Sequence, residues 1–212
     1  MTERWTFGVE PLPQMPELAS LLRRVTSLAL ALEHDDPTLE QLLDQLRAAE
    51  QSLAAVAPND PTPRIGIHAR PEQRVYIDHA RDIGAYNPCF PEYTVQVDGD
   101  HAHGTVSFPI VYEGPPGVVH GGFLATFFDC AIQHHNCDVG VAGKTTSLLV
   151  EFHRPTPIET ELRFEITRAT DGRRITSRSQ LFLGDDMVCT ATMQAVAGNR
   201  DRLPRVSPRR AE

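Results

Sequence analysis

Asp129 stands in the run FLATFFDCAI, where nearly every neighbour is apolar. A carboxylate in such surroundings costs several kcal/mol unless it is paired. Two readings follow: an acid that reaches a polar patch or a histidine, or a general base or nucleophile with a tuned proton affinity. Nine residues upstream lies His120-Gly121-Gly122. Glycines at a helix start let a ligand approach bare backbone N–H groups, which have no intrahelical partner and sit at the positive end of the helix dipole. Such an entry can hold an oxyanion or an anion, or it can simply be a turn. If one helix carries both features, nine steps of about 100° turn Asp129 to the side opposite His120, about 13.5 Å along the axis. The two cannot act on one carbonyl within one helix. A site using both requires a second copy of the chain, hence an isologous dimer with two equivalent sites.

The elements that must position these groups follow from periodicity. HGGFLATFFDCAIQHHN reads as one helix of about four turns. It is apolar almost all round (Phe123, Leu124, Phe127, Phe128, Ala131, Ile132), so it is buried rather than laid on a surface. Tyr93, Val95 and Val97 alternate with polar residues before the turn Asp98-Gly99, and the run His103–Tyr112 pairs back. EGPPGVV then excludes regular structure. Four strands follow at Thr145–His153, Glu161–Thr170, Arg173–Leu183 and Met187–Ala197, with Asp171-Gly172 and Gly184-Asp185-Asp186 as hairpins. The order ββ-α-ββββ with short hairpins demands antiparallel pairing. The simplest solution is an α+β domain at 93–197, a curved sheet wrapped around one central helix. Ahead of it, 1–92 form an extension. Leucines at 18–32 and 39–53 make two amphipathic stripes, a helical hairpin that must cover something, with Asp36-Pro37 opening the second helix. A Pro-rich connector over 57–92 follows. Residues 198–212 read as a disordered basic tail.

The chain has 212 residues, 23% charged and 41% apolar, the composition of a globular protein. Its net charge is −8. The tail carries five Arg against two acids, so the rest is more acidic still, which argues against a nucleic-acid partner. No apolar run is long enough for a membrane span. The start MTERWTFGVEP shows no secretory signal, and Cys89, Cys130, Cys137 and Cys189 form no CxxC pair. They are expected to be reduced thiols in a cytoplasmic protein.

HGG, six residues, then Asp, preceded by EGPPG and followed by a strand ending in Phe-His-Arg-Pro, resembles the hotdog-fold acyl-CoA thioesterases, in particular the branch of the phenylacetate-pathway enzymes and the mammalian thioesterase-superfamily members. The resemblance covers about 93–197. It implies an acyl-CoA thioester hydrolase that needs no cofactor beyond the CoA of its substrate. It also implies a homodimer, or a dimer of dimers, with active sites between subunits. By this resemblance Gly121, with Gly122 beside it, holds the thioester carbonyl oxygen on backbone N–H and His120 helps to fix it. Asp129 from the other chain attacks the thioester or activates water. A hydroxyl on the next strand, Thr145 or one of Thr146 and Ser147, positions the water or the carboxylate. Many relatives carry an Asn six residues before the histidine, where this chain has Gly114.

Other signals stay open. Phe123 and Phe128 line an apolar substrate pocket or pack the core. Arg154 meets CoA phosphates or forms a surface ion pair, and Arg168, Arg173 and Arg174 near a hairpin divide in the same way. His134, His135, Cys130 and Cys137 crowd the helix end without metal-ligand spacing, so the two histidines are expected to complement the terminal carbonyls. A different class of function is a non-catalytic acyl-CoA sensor or scaffold with the N-terminal helices as its interaction module. That reading would dispense with the helix carboxylate, which this chain retains.

Overall fold

The computed structural model describes residues 13–57, 83–139 and 143–197. Most of the connector and the whole 198–212 tail lie outside the described residues. Six strands follow the expected order: β1 (Tyr93–Asp98), β2 (His101–Ser107), then helix α4 (Gly121–Val139), β3 (Gly143–Phe152), β4 (Glu161–Asp171), β5 (Arg174–Leu183) and β6 (Asp186–Ala197). Three further helices precede them: α1 (Met15–Leu30), α2 (Pro37–Val56) and the single turn α3 (Ile83–Tyr86). All strands pair antiparallel in the order β1-β2-β4-β5-β6-β3, which leaves β1 and β3 at the two edges. The hairpin glycines Gly99 and Gly172 have φ of +58° and +56°, values that a side chain would strain.

The second strand is shorter than its sequence run. It ends at Ser107, because Pro109 has no N–H to continue the ladder. Ile110–Tyr112 instead form one 3₁₀ turn, closed by the Tyr112 N–H on the Pro109 carbonyl at 2.9 Å. β3 begins at Gly143, two residues earlier than the alternation suggests.

α4 lies in the concave face of the sheet and touches β1, β3, β4, β5 and β6. Leu124, Phe127, Phe128, Ala131 and Ile132 are buried against Phe108, Leu162, Phe164, Ile166, Leu181 and Met193. Phe127 stands edge-on to Tyr93, Phe108 and Phe164, with centroids 5.2–5.8 Å apart, the spacing that suits the aromatic quadrupole. This is the hotdog arrangement.

The helix end corrects one expectation. His134 and His135 do not complement the last carbonyls; both are buried and bonded across to the sheet. His134 Nδ1 meets the Tyr93 hydroxyl at 3.1 Å. His135 Nε2 donates to the Gly99 carbonyl at 2.8 Å, while its Nδ1, buried, has no hydrogen-bond partner among the described residues. Beside them Asn136 Oδ1 accepts from Arg168 Nε at 3.0 Å and from the Ser177 hydroxyl at 3.3 Å. These polar residues fasten the end of α4 to the first hairpin and to the sheet.

The N-terminal helices form as expected, and Asp36 caps α2 by accepting the Thr38 N–H at 2.8 Å. Their leucines behave differently. α1 docks through Arg23, 4% exposed, which donates to the carbonyls of Asn87 and Phe90 and pairs with Glu92. This polar clamp seats α1 against α3 and the 3₁₀ turn. α2 has no buried side chain, and Leu43, Leu46, Leu53 and Val56 are exposed. The expectation that both stripes are covered therefore fails among the described residues, where α1 packs on α3 and the 3₁₀ turn while leucines of both helices stay exposed.

Burial pushes the His135 imidazole below its ordinary proton affinity, with Arg168 adding in the same direction; the Gly99 carbonyl, Asp100 and Asp138 oppose this. Below about pH 6.5 the unfolded chain takes up a proton that the folded chain refuses, so folding stability falls as pH drops through that region. Urea denaturation at pH 7.5 and pH 5.5 should show this loss reduced in His135→Gln. An identical loss in wild type and variant would show that His135 does not carry it.

Candidate active site

The EGPPGVV loop builds the entry to α4. Glu113 Oε1 accepts the Gly117 N–H at 2.6 Å, and the Gly114 N–H donates to the Val118 carbonyl at 2.9 Å. Gly117 has φ +75°, and the loop closes so that the His120 N–H reaches the Tyr112 carbonyl at 2.9 Å. His120 then caps the helix with its side chain: Nδ1 accepts the Gly122 N–H at 3.0 Å. An accepting Nδ1 leaves the proton of the neutral ring on Nε2. The Phe123 N–H turns back to the His120 carbonyl at 2.9 Å. Of the first three helix donors, the Gly121 N–H alone makes no hydrogen bond among the described residues, as helix geometry permits. Gly121 also lies under the Phe152 ring, whose Cζ would be 3.0 Å from a Cβ at this position.

Two turns along, Asp129 is half-buried. The Thr145 hydroxyl donates to its Oδ1 at 3.0 Å, and Gln133 Nε2 donates to the same hydroxyl at 2.8 Å. A β-bulge selects Thr145. Leu148, Val150 and Phe152 pair with Met193, Ala191 and Cys189, the row of β6 that faces the helix. Strict alternation would continue that row to Thr146. The register shifts between Thr145 and Ser147, so Thr145 pairs with the inward Ala195 and faces Asp129. Thr146 is turned away and donates to the Gln194 carbonyl at 3.0 Å.

The structure thus brings His120, Gly121, Gly122 and Phe123 together at one end of α4, and Asp129 with Thr145 further along it. Phe123 packs on Tyr112 and on His120, with centroids at 5.0 and 6.1 Å. The two groups do not meet within one chain. Gly121 touches Phe152 and Asp129 touches Thr145, seven residues apart on β3, roughly 20 Å along a strand. Of the other residues expected at the substrate, Phe128 is fully buried in the core, and Arg154 pairs with Asp186 at 2.7 Å on the surface. Arg168 is held by Asn136 and Asp100, and Arg173 donates to the Ala197 carbonyl. Gln133 was missed by sequence reasoning. Its spacing of i+4 from Asp129, which puts both on one helix face, is the signal that could have found it. Cys130, next to Asp129, is held as a thiol: burial and the neighbouring carboxylate push it up to about 12, so it is no nucleophile.

The arrangement offers an open backbone donor at a helix N-terminus and a carboxylate steadied by a hydroxyl, the two parts that acyl transfer requires. Comparison with known proteins gives the class. Residues 112–198 match the family described as the acyl-CoA thioesterase N-terminal domain. A solved structure described as a thioesterase superfamily protein superposes with a TM-score of 0.70 at 26% identity, over 88% of this chain and 97% of that one. A Streptococcus pneumoniae TIGR4 protein, described as a hypothetical thioesterase with coenzyme A, matches 51% of this chain and 91% of its own at 22% identity, with a TM-score of 0.47. A Streptococcus mutans UA159 protein bound to acetyl CoA matches 51% of this chain and 91% of its own at 18% identity, also with a TM-score of 0.47. No curated protein matches the chain in sequence. The hotdog domain is thus similar to proteins of the thioesterase superfamily, the resemblance its HGG-x6-D motif carries.

Gly114 has no room for the side chain that many relatives are expected to carry there, since a Cβ would come within 2.9 Å of both Cα and Cβ of His120. Gly114→Ala should therefore cost about 1–3 kcal/mol as His120 is pushed from its capping position. A thermal melt indistinguishable from wild type would show that the loop yields without cost.

Proposed function

We propose that this protein hydrolyses acyl-CoA thioesters to the free acid and CoA, in sites shared by two copies of the chain. The observation that carries the reading is the Thr145–Asp129 hydrogen bond on a thioesterase-superfamily helix whose N-terminal Gly121 N–H is open. The thioester carbonyl oxygen would sit on the Gly121 N–H of one copy, with the His120 Nε2–H as a second donor beside it. There the helix dipole and the fixed N–H favour the negative charge that develops when the carbonyl carbon becomes tetrahedral. Asp129 of the other copy would supply the base. With Oδ1 engaged by Thr145, Oδ2 is left to take a proton from water as the water oxygen bonds to the carbonyl carbon. The C–S bond then breaks, the carbonyl re-forms, and the CoA sulfur leaves as a thiolate that takes up a proton. In the nucleophilic variant the same oxygen attacks the carbon directly, expels the thiolate and forms a mixed anhydride that water opens.

Two copies are needed because Gly121 and Asp129 lie about 12 Å apart along the axis of one helix. β3 offers the place to join them, being an edge strand with Leu149 and Phe152 exposed. An acyl-CoA sensor or scaffold is the second reading. The uncovered leucines of α2 favour it to the extent that they offer a surface for a further contact.

Asp129→Asn should keep the fold and lower kcat at least about 100-fold in a thiol-release assay over an acyl-CoA panel, the loss expected for a base or nucleophile. Turnover equal to wild type would remove Asp129 from the mechanism.

Complementation tests the shared site. Gly121→Pro removes the open N–H at a position where proline suits a helix start. Mixed with Asp129→Asn, it should recover roughly a quarter of wild-type activity after free exchange, since half of the dimers are mixed and each has one intact site. Mixed dimers that stay inactive would mean that each site is built within one chain.

A further inference from the structure

We propose that Gln133 is a positioning residue: it fixes the direction of the Thr145 hydroxyl proton and thereby decides which oxygen of Asp129 is free to react. The inference rests on the thioesterase reading of the site and adds a residue to it. A threonine hydroxyl has one proton and two acceptor positions. Three groups lie within reach of Thr145 Oγ1: Gln133 Nε2 at 2.8 Å, Asp129 Oδ1 at 3.0 Å and Met193 Sδ at 3.8 Å. The amide N–H can only donate, so it occupies a lone pair of the hydroxyl. The one proton is then left for the strongest acceptor, the carboxylate, rather than the weakly accepting thioether. The opposite amide orientation would set Gln133 Oε1 against the hydroxyl, and two acceptors would compete for one proton. Only the nitrogen-in orientation satisfies both short contacts.

The chain Gln133 → Thr145 → Asp129 also runs in the sense in which hydrogen bonds reinforce one another, since an oxygen that accepts becomes a better donor. Without Gln133 the hydroxyl is free to turn about its C–O bond, and Oδ1 loses a fixed partner. Gln133 and Asp129 are four residues apart on α4, and Thr145 reaches them from β3 through the bulge. The relay therefore spans the helix and the strand and holds the carboxylate from both.

The test is kinetic. Gln133→Met keeps the length of the side chain without the donor, and Gln133→Glu replaces the donor with an acceptor. Each is made in wild type and in Thr145→Val. Gln133→Met should lower kcat about tenfold with KM within twofold, the split expected when a reacting group is misplaced and substrate binding is kept. Gln133→Glu should lose at least as much. In the Thr145→Val background neither change should lower kcat further, because the group through which Gln133 acts is gone. Thermal melts identify a variant that has failed to fold, and the other variant then decides. Gln133 variants with wild-type kcat overturn the proposal, as do losses that multiply with that of Thr145→Val. If wild type hydrolyses acyl-CoA and Asp129→Asn does not, such a result removes Gln133 alone. A wild type inactive on every acyl-CoA tested overturns the thioesterase reading and this proposal with it.

Discussion

A helix with apolar side chains on nearly every face has to be enclosed, and the fold of this chain follows from that requirement. Leu124, Phe127, Phe128, Ala131 and Ile132 leave water only because the sheet curves around them. Enclosure makes the helix rigid, and it makes any polar group on it expensive unless bonded. Three polar side chains toward the end of α4 hold the structure: His134 on Tyr93, His135 on Gly99, Asn136 between Arg168 and Ser177. Asp129 is the exception in kind. Its partner is a hydroxyl that leaves half of the carboxylate available.

The same constraint separates the two halves of the candidate site. The helix entry gathers a capping histidine, an open glycine N–H and the Phe152 ring, while the carboxylate lies about two turns further along the helix. On the proposed reading these halves come together where a second copy of the chain meets the first. An edge strand with exposed apolar residues is the kind of surface on which such a meeting would occur.

The N-terminal helices show that amphipathicity does not by itself say where a helix packs. α1 is held by a buried arginine that satisfies two backbone carbonyls and a glutamate rather than by its leucines. A polar clamp of this kind fixes direction more closely than an apolar stripe does, because guanidinium geometry admits few arrangements. Among the described residues α2 has no such clamp, and Leu43, Leu46 and Leu53 stay exposed.

Much of this protein was legible in the sequence. Hydrophobic period and hairpin glycines determined the succession of strands along the chain and the buried helix, since both depend on local geometry and on which face must leave water. The HGG-x6-D spacing placed an open helix start and a carboxylate about two turns apart on that helix, which is arithmetic on residues per turn. Gln133 was visible in principle, four residues from Asp129, but nothing local distinguishes it from any polar residue on a helix face. Which hydroxyl serves Asp129 was beyond the sequence. Alternation from Leu148 through Phe152 selects Thr146, and the structure selects Thr145, because one extra residue in the β3–β6 pairing reverses the side to which the strand points. A bulge depends on how two strands distant in sequence come into register, and that is set only when β3 and β6 are held together around the helix.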